Sequence, residues 1–180
     1  MRAAAEARHG SRAGFHSVDG TAEATGLAGG SVDLVVAAQA FHWFDRDAAR
    51  REMARVLRPD GWVALIWNVR QVESTAFLRD LEALLLDYSI DYARVRHENV
   101  TDEIVRAFLP RDYAKRSFEH AQALDLEGLR GRIASASYVP APGHPAHEPL
   151  FDELEQLFER CQEGGTVRVI YDAVVHSGRL

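Results

Sequence analysis

Cysteine is almost missing from this chain: Cys161 is the only one in 180 residues. That excludes an intramolecular disulfide and any multi-cysteine metal site. Lysine is as scarce, with Lys115 alone among 21 basic residues. We attribute the arginine bias to genomic base composition and infer no chemistry from it. The basic residues are scattered singly or in pairs, and against 27 acidic residues they leave a formal charge of −6. No basic stripe marks a nucleic-acid partner. No apolar run approaches ~18 residues, so no membrane span is expected, and the N-terminus has no hydrophobic signal core. A soluble cytoplasmic protein is the expectation. A Gly-x-Gly-x-x-Gly turn is also lacking: Gly29-Gly30 and Gly164-Gly165 stand before strands, not between a strand and a helix.

The stretch from Ser31 to Asn68 organises what is present. Val32–Ala38 and Trp62–Trp67 are short, nearly continuous apolar runs, the pattern of strands covered on both faces in a parallel sheet. Between them Ala49, Met53, Val56 and Leu57 recur at helical spacing, with Arg50, Arg51, Glu52 and Arg55 on the other side. A strand–helix–strand unit of this size crosses over right-handed. Ligands of such sheets gather beyond the carboxyl ends of the strands, which here carry Gln39–Asp45 and Asn68–Arg70.

Four motifs in order carry a resemblance: Asp-Gly-Thr-Ala-Glu (19–23), Ser-Val-Asp-Leu-Val-Val (31–36), Phe-His-Trp-Phe (41–44) and Val-Leu-Arg-Pro-Asp-Gly-Trp (56–62). Together they resemble the fourth strand, following helix and fifth strand of class I S-adenosylmethionine (SAM)-dependent methyltransferases, in the small-molecule branch called methyltransferase type 11. Asp60 stands where that family usually has Gly, in a turn that tolerates either. The resemblance covers roughly residues 1–180. It implies an α/β fold with a mostly parallel, Rossmann-like sheet, helices on both faces and a last strand inserted antiparallel beside the fifth. It also implies one methyltransferase-like domain over 1–180, with 125–165 a helical, acceptor-side region. The family's first strand and glycine-rich turn have no counterpart here, so Met1 reads as an internal methionine and the chain as truncated. A homo-oligomer or a partner chain is then expected to cover the exposed N-terminal sheet edge.

Elsewhere the reading is coarser. Residues 1–9 favour a helix but offer almost no large apolar side chain. Phe15–Val18 reads as a short strand, and 89–100 as irregular. A helix is expected over about 75–88, with Phe77, Leu81, Leu84, Leu85 and Tyr88 on its apolar face. Thr101 caps a short helix ending at Pro110, with Asp102 and Glu103 in its first turn. Lys115–Leu124 reads as a strand, and Leu126, Leu129, Ile133 and Ala136 mark a further helix. Pro140–Pro149, with four prolines in ten residues, can only be a loop. Leu150, Phe151, Leu154, Leu157, Phe158 and Cys161 form an amphipathic helix, and Thr166–His176 a final strand.

The resemblance gives the cofactor, SAM, and its side of the site: Asp19 at the adenine amino group, Thr21 and Ala22 beside the ring, and Gln39 and Ala40 along the methionine half. The plain alternative for Asp19-Gly20 is a simple turn. Phe41, Trp43 and Asn68 fall on the acceptor side, where a small-molecule acceptor is expected. His42 is the one obvious general base, since imidazole titrates near neutral pH. Against that, it can merely pack at a helix start, and methyl transfer can run on proximity and alignment alone. Asp33 and Asp45 read as structural, the latter as an N-cap, and Cys161 as a buried, inert thiol. His144, His147 and Glu148 lack a recognisable metal-ligand frame, so no metal is expected; with Tyr138 they are weaker acceptor-contact candidates. Two rivals to a working methyltransferase stand: an inactive methyltransferase-like module acting through a partner chain, and a nicotinamide-dependent reductase. The second finds no Gly-x-Gly-x-x-Gly turn and no Tyr-x-x-x-Lys pair.

Overall fold

The computed structural model describes residues 2–90 and 100–180. Helix α1 (Arg2–His9) buries none of its residues. Strand β1 (Val32–Ala38) leads through a 3-10 turn (Phe41–Trp43) into α2 (Arg46–Val56) and β2 (Leu57–Arg70). Then come α3 (Ala76–Tyr88), α4 (Asp102–Phe108), β3 (Arg111–Leu124), α5 (Leu126–Ala134), α6 (His147–Cys161) and β4 (Val167–Arg179). Most of the expectation at 89–100 lies outside the described residues.

Local chemistry explains the boundaries. Thr75 caps α3 by accepting the Leu78 N–H at 3.1 Å. Asp45 does the same for α2 through the Ala48 N–H at 3.0 Å, as its N-cap reading required. The expected Pro-Asp-Gly turn is absorbed into the opening of β2, where Asp60 takes φ 67 and the strand starts five residues earlier than its apolar run. Phe15–Val18 forms no strand.

The sheet order is β1-β2-β4-β3. Arg58 at the start of β2 pairs with Asp33 at the start of β1 (2.7 Å), so these strands run side by side in one direction. Arg179 at the end of β4 meets Asp60 (2.8 Å), and Gln71 N–H reaches Ile170 O (2.9 Å). Strand β4 is therefore antiparallel to β2. Its Asp172 and His176 likewise meet Ser117 and Tyr113 of β3 in reversed order. This is the expected α/β sheet, with three strands sharing a direction and the last antiparallel beside β2. Because that last strand is inserted between β2 and β3, only the β1–β2 neighbours are a parallel pair, fewer than a mostly parallel sheet implies. Nor is β1 covered on both faces. It lies at the sheet edge with Leu34 and Val36 53% and 52% exposed.

The chain divides into two compact units. The first comprises residues 1–65, 103–114 and 176–180. In it Phe41, Ala49, Met53, Val56, Val63 and Leu65 are buried. The second comprises 66–102 and 115–175 and holds the hydrophobic cluster in which Leu78, Leu81 and Leu85 of α3 join Leu150, Leu154 and Phe158 of α6. Each such leucine, fully buried, contributes about 1.5–3 kcal/mol. Among the described residues, no helix is long and apolar enough to cross a membrane.

Candidate functional site

In the first unit the chain between α1 and β1 is a folded loop rather than a slack connection. Thr21 and Ala24 exchange backbone hydrogen bonds at 3.1 and 3.3 Å. Gly20 sits so close to them that a Cβ there would lie 2.8 Å from Thr25 O and 2.9 Å from Ala24 O. No side chain fits, and this explains the glycine.

Residues 23–31 then run along α2 and are tied to it from end to end. Glu23 accepts the Asp45 N–H at the helix start (3.1 Å). Farther along, Glu52 accepts both the N–H and the Oγ1–H of Thr25 (2.8 and 2.5 Å). Arg55 donates to Glu52 through two nitrogens, each at 2.7 Å, and to the Leu27 carbonyl at 2.7 Å. Gly30 and Ser31 complete the seam by donating to Arg55 O and Val56 O. The hydrogen bonds from Arg55 and Thr25 hold the Glu52 carboxyl down at about 2. The helical pattern puts Glu52 on the solvent side of α2, but its side chain is 9% exposed. Its i,i+3 spacing from Arg55 hints at a pair. Nothing in the helical pattern names Thr25.

This clasped loop forms one wall of a cavity of about 470 Å³. Ala22, Thr25 and Leu27 come from the loop, Ala40 and Phe44 from the turn after β1, and Met53 from α2. The volume lies within the usual range of small-molecule sites, about 300–1,000 Å³. Strand β1 lines it along its whole length, from Val32 to Ala38, so the lining is mostly apolar.

The expected cofactor residues divide. Ala22 and Ala40 line this cavity together. Asp19 and Thr21 are not among its lining residues: Asp19 is 87% exposed and paired with Arg2 at 2.8 Å, and Thr21 is exposed beside Ala22. Gln39 is exposed at the end of β1 with φ 52, a left-handed conformation that costs a non-glycine residue about 1–3 kcal/mol and tends to cluster at functional sites.

The acceptor-side residues divide too. Phe41 is wholly buried, edge-on to Phe44 and Phe108 at 5.9 and 4.8 Å, so it braces the turn from within. Trp43 is 68% exposed, its ring 4.8 Å from that of His42. His42 Nδ1 is buried without a hydrogen-bond partner among the described residues. A proton there would be desolvated, and burial lowers the imidazole pKa.

Asn68 belongs to the second unit, where its Oδ1 accepts from His120 Nε2 at 2.7 Å. His120 stacks on Tyr171 (5.4 Å, 17°), and Tyr171 Oη accepts from Arg132 Nε at 3.1 Å. Sequence reading missed His120, because an isolated histidine in a weakly alternating strand carries no signal. Near this cluster burial pushes the Tyr138 phenol up. Arg70 and Glu82 form an ion pair with side chains only 13% and 11% exposed. In the proline-rich loop His144 Nδ1 accepts the Ala146 N–H, and His147, which opens α6, bonds Pro140 O through Nδ1; the expected loop over 140–149 thus gives way to helix at its last three residues, with Pro149 in the first turn. Cys161 is half-buried.

Residues 1–65, which include the clasped loop, the turn and α2, match the family model described as a methyltransferase domain. Over 141 residues the chain is 47% identical to an uncharacterized methyltransferase of Mycobacterium tuberculosis, a match covering 77% of this chain and 53% of that protein. The chain is thus similar to methyltransferases in both comparisons. It is also 28% identical over 172 residues to an uncharacterized methyltransferase-like protein of Schizosaccharomyces pombe, covering 91% of this chain and 65% of that one. It thus spans between about half and two thirds of the length of these curated relatives. In fold, the chain is similar to a solved structure named as a candidate type II methyltransferase from Anaeromyxobacter dehalogenans. The TM-score is 0.58 at 23% identity, over 97% of this chain and 77% of that one.

Proposed function

We propose that the protein transfers the methyl group of SAM to a small or medium-sized acceptor. One observation carries the reading. Ala22 and Ala40, expected at the adenine ring and at the methionine half, line a single cavity inside the stretch that matches the methyltransferase family. When bound, SAM supplies a sulfonium methyl that a nucleophile displaces in line. Asp19 can accept from the adenine amino group, its exposed carboxylate exchanging Arg2 for the ligand. Thr21 and Ala22 flank the ring, and Gln39 and Ala40 follow the methionine half. Trp43 offers an aromatic face to the acceptor, on the turn that the buried Phe41 braces from within. Asn68, held by His120, belongs to the acceptor side of the second unit. His42, kept neutral by burial, is the candidate for taking a proton from the acceptor.

Calorimetric titration with SAM tests the cofactor, and Asp19→Ala tests the assignment. The variant should bind more weakly with an unchanged circular dichroism spectrum. Since Asp19–Arg2 is an exposed pair, its loss costs the fold at most about 1 kcal/mol, so a change in affinity reports on the ligand. Equal affinity would remove Asp19 from the site. A second reading, an inactive module working through a partner chain, draws on the open edge of β1, where Leu34 and Val36 are half exposed. A sheet edge of that kind invites another strand. A folded chain that binds no SAM and sediments as an oligomer would favour it.

A further inference from the structure

The clasp beneath the cavity wall has a consequence for binding, and it rests on the cofactor reading just given. We infer that Glu52 is a positioning residue of the cofactor site: it never meets the ligand, but through Thr25 and Arg55 it fixes the wall against which the adenine end lies. Thr25 and Leu27 face the cavity, and both are held from behind, Thr25 by Glu52 through two hydrogen bonds and Leu27 by Arg55 through its carbonyl. Arg55 is itself oriented by the same carboxylate. Between the anchors at Glu23 and Gly30 these are the ties that hold the loop to α2. Thr25 and Leu27 are half-buried and Ala24, Gly26 and Ala28 are exposed, so apolar packing cannot set its height above α2. Four donor groups, two from Thr25 and two from Arg55, converge on one carboxylate, which is therefore the point through which the wall is located. A wall displaced by a fraction of an ångström loses contact with a flat ligand, because dispersion falls off over that distance. Supporting residues of this kind are the ones on which a preorganised site depends.

The test compares Glu52→Gln and Thr25→Val with the unaltered chain, using S-adenosylhomocysteine, adenosine and methionine as probes in calorimetric titrations. Glu52→Gln keeps the shape but removes the charge that Arg55 and Thr25 share. Thr25→Val removes one hydroxyl and keeps the side-chain outline, and it carries the comparison should the first variant fail to fold. Expected is a loss of about tenfold in affinity for S-adenosylhomocysteine and for adenosine, the size usual for partners that support a contacting residue. Methionine should bind unchanged. Amides 21–28 should exchange faster in the variants. A purely structural role would instead weaken all three probes together, or none. Variants that bind adenosine as well as the unaltered chain would overturn the inference and leave the cofactor reading standing. An unaltered chain that binds neither adenosine nor S-adenosylhomocysteine would overturn both.

Discussion

In the second unit, Leu154 of α6 is packed among α3 and β4 side chains with no exposed surface. In the first, the wall of the candidate site is held by a carboxylate, a guanidinium and a few backbone groups. Both regions are ordered, for different reasons. Apolar packing is non-directional and tolerates no void, so it fixes a core but cannot hold a cleft open. Hydrogen bonds are directional and can pin a loop beside an empty space without filling it. Binding sites tend to be built by the second means, which leaves them exposed to changes in charge that a core never registers.

Truncation in the packed region should cost most. Leu154→Ala leaves a cavity between α3 and α6 and should destabilise the chain by about 2–5 kcal/mol, read from denaturant unfolding. A loss below about 1 kcal/mol would mean the helices close over the gap and the packing contrast is overstated. Next comes Gly20→Ala. Its methyl would meet backbone oxygens of Ala24 and Thr25 at 2.9 and 2.8 Å, and backbone cannot rotate away as a flexible side chain can. About 1–3 kcal/mol is expected, with faster amide exchange over 20–28.

Acid separates the two regions in another way. The folded-state pKa of Glu52 lies near 2, below its ordinary 4.5. An unfolded chain therefore takes up the proton first. The stability Glu52 contributes is fully present above about pH 4.5 and is lost as pH falls from there towards 2. His42 acts in the same direction at higher pH. Its pKa is lowered by burial, so below about 6.5 the unfolded chain gains a proton that the folded chain resists. Unfolding midpoints should fall with acid over both windows. In Glu52→Gln the lower window should flatten, whereas in Leu154→Ala it should persist. A pH profile identical in Glu52→Gln and the unaltered chain would mean the carboxylate is not clasped in solution.

Much of the fold was legible because it depends on pattern alone. The apolar period of α3 and α6, the cap at Asp45, and the β1–α2–β2 unit are local or nearly so. What escaped depends on which piece of chain comes to lie against another. The polar face of α2 looks solvated on a helical wheel, yet the loop from 23 to 31 covers it and buries Glu52. Phe41 reads like its neighbours Trp43 and Phe44, but the buried Phe108 of α4 meets it and takes it inside. Val32–Ala38 has the composition of a central strand and stands at the sheet edge, since composition does not count neighbours. At the site, Ala22 and Ala40 were nameable through the motif. Glu52 and His120 were not, because their partners are 27 and 52 residues away in sequence.

The smallest effect expected is also the one that bears most directly on how the site is held. Gln39 ends β1 with φ 52, where its Cβ crowds the backbone. Gln39→Gly would relieve that strain but add freedom to the unfolded chain. The two terms, roughly 1–2 and 0.5–1 kcal/mol, nearly cancel. Stability should therefore change by less than about 1 kcal/mol, in the stabilising direction. If the glutamine is kept there for its side chain, the same substitution should weaken SAM binding while the melting temperature holds or rises. Opposite signs for stability and affinity are what a strained site residue produces. A variant that gains stability and binds SAM unchanged would place Gln39 with the structural turns and leave Ala40 to carry that end of the cavity.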